Sequence, residues 1–129
     1  MKTTIFNLLN GQDTLNKLAN TDKLPVVKAY QLSKLLKGIN KELELYEATR
    51  VKLIQKYGEK KGENITVLPE NTEIFYKELR EIQELEIELY NFYLKIDELE
   101  QAKIEISANE LSKVDWLIVD EVEVIETTE

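Results

Sequence analysis

Carboxylates are the only side chains with acid–base or metal-binding chemistry that this sequence holds in number: 25 Asp and Glu in 129 residues, beside no His and no Cys. Without His, the commonest general base and metal ligand is missing. Without Cys there is neither a thiol nucleophile nor a thiolate for zinc. Ser-His-Asp and Cys-His catalysis are excluded. The three serines offer no substitute. Ser33 falls mid-helix, Ser107 is placed to cap a helix, Ser112 lies one turn further on, and none sits in a Gly-x-Ser-x-Gly elbow. Gly11, Gly38, Gly58 and Gly62 form neither a Walker loop nor a dinucleotide fingerprint.

Paired carboxylates can still act as acid and base, or hold magnesium or calcium through oxygen. Glu84, Glu86 and Glu88 form one candidate cluster; Asp120, Glu121 and Glu123 form another. Neither has the spaced oxygen ligands and central glycine of a calcium loop. A solvated acidic face is the expected role of both. The sequence predicts a protein that is not an enzyme, takes no cofactor and needs no metal to fold.

Charge is unevenly distributed. Residues 1–62 carry 12 Lys and Arg against 6 Asp and Glu, a net of +6. Residues 63–129 carry 5 against 19, a net of −14, and the whole chain stands at −8. An acidic half repels phosphate, and Arg50 and Arg80 are the only two arginines, so nucleic acid is not an expected partner. The basic half can meet the acidic half of its own chain or of a second copy. No apolar run approaches the roughly 18 residues of a membrane span, so no membrane partner is expected.

These residues are positioned by a pattern that is mostly helical. Thr4–Leu9 looks extended and Asn10-Gly11 turns the chain. Asp13 or Thr14 is placed to cap a short helix carrying Leu15 and Leu18 inward. Pro25 suits the start of the next helix. From Val26 to Tyr57, the residues Leu32, Leu36, Ile39, Leu43, Tyr46, Arg50, Leu53 and Tyr57 step by 4, 3, 4, 3, 4, 3, 4. That is an unbroken heptad stripe with one polar member, ending at Gly58 where a helix C-cap favours glycine. A helix this long runs about 48 Å, more than a small core covers at every level.

Glu59–Asn64 reads as a charged loop, Ile65–Leu68 as a short strand, and Pro69 as the start of a second helix. Phe75, Leu79, Ile82, Glu86 and Leu89 repeat the heptad step, so this helix can lie antiparallel on the first. It is expected to end near Leu85, with extended chain over Glu86–Ile96 and a further strand at Lys103–Ile106. Ser107 and Glu110 form a capping box for a last helix with Leu111, Val114, Leu117 and Ile118 on its apolar face. The predicted fold is α+β and mostly helical, a long antiparallel helical hairpin with a few short strands and a C-terminal helix. Residues 1–129 read as one domain with a frayed acidic tail at 120–129, where Val122 and Val124 alternate as a possible sheet edge.

Three residues stand out as candidate seam or interface positions: Arg50, Glu86 and Trp116. Arg50 and Glu86 are the matching polar members of the two stripes, and an Arg50–Glu86 pair would fix register more than add stability. Glu78 is the fallback partner, and the alternative is an Arg50 that lays its methylenes on the seam and extends its head into water. Trp116 either anchors a partner or packs a small core, and its short amphipathic helix favours packing.

Several phrases carry a resemblance. Leu24-Pro25-Val26-Val27-Lys28-Ala29-Tyr30 opens the long helix, and Tyr46-Glu47-Ala48-Thr49-Arg50 and Leu53-Ile54-Gln55-Lys56-Tyr57-Gly58 close it. Ile106-Ser107-Ala108-Asn109-Glu110-Leu111 and Asp115-Trp116-Leu117-Ile118 follow near the end. Over about residues 8–119 the chain resembles small uncharacterised proteins of tailed bacteriophages and prophages of Gram-positive and gut bacteria. The resemblance implies a viral origin and a place in the host cytoplasm or virion, and it maps no catalytic residue. The expected function is protein–protein binding or self-assembly as a homo-oligomer, such as a virion accessory or assembly component. The alternatives are an acidic inhibitor that covers a nucleic-acid site on a host defence protein and, far behind, a carboxylate enzyme.

Overall fold

The structure, a computed structural model, describes residues 1–120. It opens with β1 (Lys2–Thr4), α1 (Ile5–Asn10) and α2 (Gln12–Asn20). Thr4 ends the strand and starts the helix: its Oγ1 accepts from the Asn7 N–H at 3.2 Å, satisfying a free donor of the first turn. The extended run expected over Thr4–Leu9 is therefore helix beyond Thr4. Ile5 and Leu8 go inward three residues apart while Phe6 stays in solvent, which is helical and not strand period. Gly11 joins the helices where a side chain has no room, since a Cβ there would lie 2.8 Å from the Lys113 carbonyl oxygen. α2 starts on that glycine without the side-chain cap expected from Asp13 or Thr14. Buried Thr14 instead donates its hydroxyl to the Glu110 carbonyl at 3.0 Å, tying α2 to the far end of the chain.

α3 (Val26–Tyr57) has the predicted bounds, with Pro25 just before it accepting from the Ala29 N–H at 2.9 Å. On its heptad stripe Leu32, Ile39 and Tyr46 are buried, and Leu36, Leu43, Leu53 and Tyr57 are partly buried against the core. Leu35, off the stripe, is fully buried as well, because α1 and α2 pack on this half of the helix in addition to Leu89. Gly58 ends α3 in extended backbone, not in a left-handed cap, and leads into β2 (Gly58–Lys61). β2 pairs with β3 (Asn64–Val67) around Gly62-Glu63, so the expected charged loop is a β-hairpin.

A 3₁₀ turn at Pro69–Asn71 starts the second helix, α4 (Thr72–Gln83). The Tyr57 hydroxyl donates to Glu78 Oε1 at 2.8 Å, and Gln83 Nε2 donates to the Tyr46 hydroxyl at 2.7 Å. Those pairings run in opposite directions along the two helices, so α4 lies antiparallel on the C-terminal half of α3. At 12 residues against 32 it leaves the rest of α3 to other elements.

The chain then crosses into β4 (Glu86–Glu88), antiparallel to β1 with Glu86 opposite Thr4. β5 (Leu94–Lys95) pairs in parallel with β6 (Ile118–Val119), and α5 (Ile96–Gln101) begins where extended chain was expected to end. The strand expected at Lys103–Ile106 does not form. Lys103 turns the chain at a positive φ of 57°, and Ile104, Glu105 and Ile106 join none of the sheets. The capping box is present: Glu110 N–H donates to Ser107 Oγ at 3.1 Å and Ser107 N–H to Glu110 Oε1 at 2.9 Å, opening α6 (Ala108–Ser112). A 3₁₀ turn, Asp115–Leu117, follows, and Val114 and Leu117 are fully buried. One continuous core runs from Met1 to Leu117. Past Asp120, the acidic tail and the Val122–Val124 edge lie outside the described residues.

Candidate interaction surface

Of the three positions singled out in the sequence, none meets another. Arg50 grips Glu47 one turn back on its own helix, Nη2 to Oε1 at 2.6 Å and Nε to Oε2 at 3.0 Å. The Arg50–Glu86 pair is not formed, because α4 stops at Gln83 and Glu86 belongs to an exposed strand beside β1. Glu78, the fallback, is held by Tyr57 and by Lys56 at 3.9 Å. The Arg50 side chain is 38% exposed, and its guanidinium meets only the solvated Glu47 among the described residues. The fork lowers the Glu47 carboxyl below its ordinary value and raises Arg50, each chiefly through the shared hydrogen bond. Trp116 packs half-buried against the core, and its buried indole N–H meets no hydrogen-bond acceptor among the described residues. The ring's packing is the contact it makes within the chain.

The early end of α4 leaves a gap, and the gap is the most distinctive surface of the molecule. A cleft of about 250 Å³ opens between α3, α4 and β4, with Ile5, Tyr46, Ile82 and Ile87 in its walls and Glu42 at its edge. Leu45 and Leu85 stand on its rim, 59% and 57% exposed. Ile82 and Leu85 also line a second, shallower cleft of about 370 Å³ with Leu53, Glu78 and Glu81. The two clefts share those residues and make one apolar groove along the helix pair, bordered by carboxylates. Leu45 carries a readable signal, an apolar residue just off the stripe on an otherwise charged face. Leu85 has none in sequence, since its exposure follows from where α4 ends.

A second exposed apolar patch lies at the start of α3, where Val26, Val27 and Tyr30 face solvent. Lys34 stands over the rings of Tyr30 and Tyr90, 5.0 and 5.5 Å from their centroids. Nearby, a cleft of about 240 Å³ is lined by Lys23, Pro25, Glu98, Gln101 and Ala102. Its one carboxylate is already paired with Lys28 at 3.3 Å, so it brings together no acid–base pair. Among the described residues no three Asp or Glu converge on a point where a metal ion would sit. Nor, among them, is any helix long and apolar enough to cross a membrane. Glu86 and Glu88 point outward from β4 on either side of the half-buried Ile87, as solvated carboxylates do. Compared with known protein families, curated proteins and solved structures, the chain matches none.

Proposed function

We propose that this protein acts without catalysis, by binding protein, as an accessory or assembly component of a phage or prophage in the host cytoplasm or the virion. The observation that carries the reading is the apolar groove: Leu45 and Leu85 stand more than half exposed over a cleft between two helices. Helix pairs with such grooves bind the apolar face of a third helix. The viral context follows from the resemblance of residues 8–119. The test is affinity capture from infected cells with mass spectrometry, run in parallel on wild type and on Leu85→Asp. A protein retained by wild type and lost by the variant is the expected result. Equal retention by both, or nothing retained by either, refutes it.

A second reading draws on the exposed carboxylates of Glu84, Glu86 and Glu88. In it the acidic face covers a nucleic-acid site on a host defence protein. DNA would then compete with this chain for its partner, and neutralising those glutamates would weaken binding more than Leu85→Asp does.

A further inference from the structure

We infer that the groove receives a second copy of this same chain, which seats the opening turns of its α3 there, so that copies join head to tail. The inference rests on the protein-binding reading and names the partner. The groove runs from Leu45 to Leu53 along α3, two helical turns or about 12 Å, with an apolar floor and carboxylates at Glu42, Glu78 and Glu81. Its occupant must offer apolar side chains on one helical face and positive charge beside them. The chain carries that face itself. Val27 and Tyr30 are 64% and 62% exposed, one turn apart, and Lys34, Lys37 and Lys41 continue the same line at steps of 4, 3 and 4. Among the described residues, no ion pair within 4 Å engages those three lysines. The Tyr30 and Tyr90 rings hold the Lys34 ammonium at the patch without neutralising it.

The geometry excludes a contact within one copy. Donor patch and groove lie on one rigid helix, about 20 residues or 30 Å apart, so one copy cannot fill its own groove. Two different surfaces meeting in this way either pair reciprocally in a two-fold dimer or, where only one contact forms per pair, close into a larger ring or grow in a line. Carboxylate against ammonium also makes the contact sensitive to salt.

The experiment uses the full chain in sedimentation velocity at low salt, up to about 1 mM, where even millimolar affinity registers. Wild type is expected to associate to a dimer or beyond as concentration rises, and added salt to reverse it. Tyr30→Asp spoils the donor and Leu85→Asp spoils the groove, so each variant alone is expected to stay monomeric. Their equimolar mixture retains one intact donor and one intact groove, and is expected to stop at a dimer. That restoration also shows that both variants are folded. Wild type that stays monomeric overturns the inference. So does association that survives in both variants, or a mixture that stays monomeric or grows past a dimer. The protein-binding reading is judged separately by the capture: a partner lost with Leu85→Asp while wild type is monomeric sinks the second copy and keeps the groove, whereas no partner and no association sink both.

Discussion

Replacing Gly11 by alanine should destabilise the protein by about 1–2 kcal/mol, and the sign of that change separates two opposing effects. The backbone at Gly11 (φ −95°, ψ 3°) is one that alanine adopts without strain. By itself, a compatible Gly→Ala change restricts the unfolded chain and stabilises by about 0.4–1 kcal/mol. Against this, the new methyl would lie 2.8 Å from the Lys113 carbonyl oxygen, 3.1 Å from Val114 Cγ1 and 3.2 Å from the Asn7 carbonyl oxygen. Two of the three are backbone atoms, and Val114 is fully buried, so none can swing aside. Overpacking of this kind costs about 1–3 kcal/mol, and it wins. Gly38→Ala is the control. There the methyl meets only Leu89 Cδ2, at an ordinary 3.4 Å, and the helix interior gains about 1 kcal/mol from losing a glycine. Urea denaturation followed by Trp116 fluorescence reads both. The expected result is opposite shifts in midpoint at unchanged slope, with a Tm loss of about 4–8 °C for Gly11→Ala. A Gly11→Ala protein as stable as wild type would refute the packing of the α1–α2 joint on Lys113.

Because the Arg50 head is in water, Arg50→Leu should change stability by less than about 0.5 kcal/mol or improve it, and a double-mutant cycle with Glu86 should show coupling below about 0.5 kcal/mol. A loss near 3 kcal/mol would show a buried partner. Glu110 is held below its ordinary carboxyl value by the Ser107 backbone N–H first and by Lys17 next. A depressed pKa contributes stability that is complete above the ordinary carboxylate range and is lost as pH falls through the lowered value. An NMR titration should therefore find the Glu110 midpoint below those of solvated glutamates, with Lys17→Met raising it part of the way; a midpoint at or above theirs would show an open capping box. Finally, the melting temperature should be the same with and without a chelator, and a drop of many degrees would reveal a structural metal.

What the sequence made legible, and what it hid, divides by the range of the interactions involved. α3 was readable to the residue because its stripe, Pro25 and Gly58 are local signals that agree. The Ser107–Glu110 box was readable for the same reason: both partners lie within one turn. Ile65–Leu68 was readable as a strand and forms most of β3, but its partner β2 was hidden because Gly58–Lys61 is charged and solvated with no alternation. α1 was misread because six residues are too few to separate helical from strand period, and its cap, Thr4, doubles as the end of β1. The Arg50–Glu86 pairing failed on length. The second heptad run continues in the sequence through Glu86 and Leu89, but the helix stops at Gln83, where Glu84 and Leu85 turn the chain toward β1. The groove is a consequence of that same stop, so no reading of either helix by itself contains it. The solvent-facing Val26, Val27 and Tyr30 were visible as residues, yet only the structure separates them from the stripe that begins at Leu32.

Synthesis on the ribosome meets this architecture in an awkward order. The first helices pack on residues made far later: Gly11 lies against Lys113 and Val114, and Thr14 bonds to Glu110, 96 residues on. The first strand waits for Glu86–Glu88, and Leu94–Lys95 waits for Ile118–Val119. Until those arrive, the N-terminal half of α3 has only α1 and α2 to cover its inward side chains. A nascent chain stalled near residue 103 lacks Val114 and Leu117, two of the most deeply buried side chains of the finished core. Such a chain is sticky and incomplete, a substrate for chaperones and proteases. Completion of the core thus waits for Val114 and Leu117, and the time it spends open during translation is set by how quickly they follow the rest.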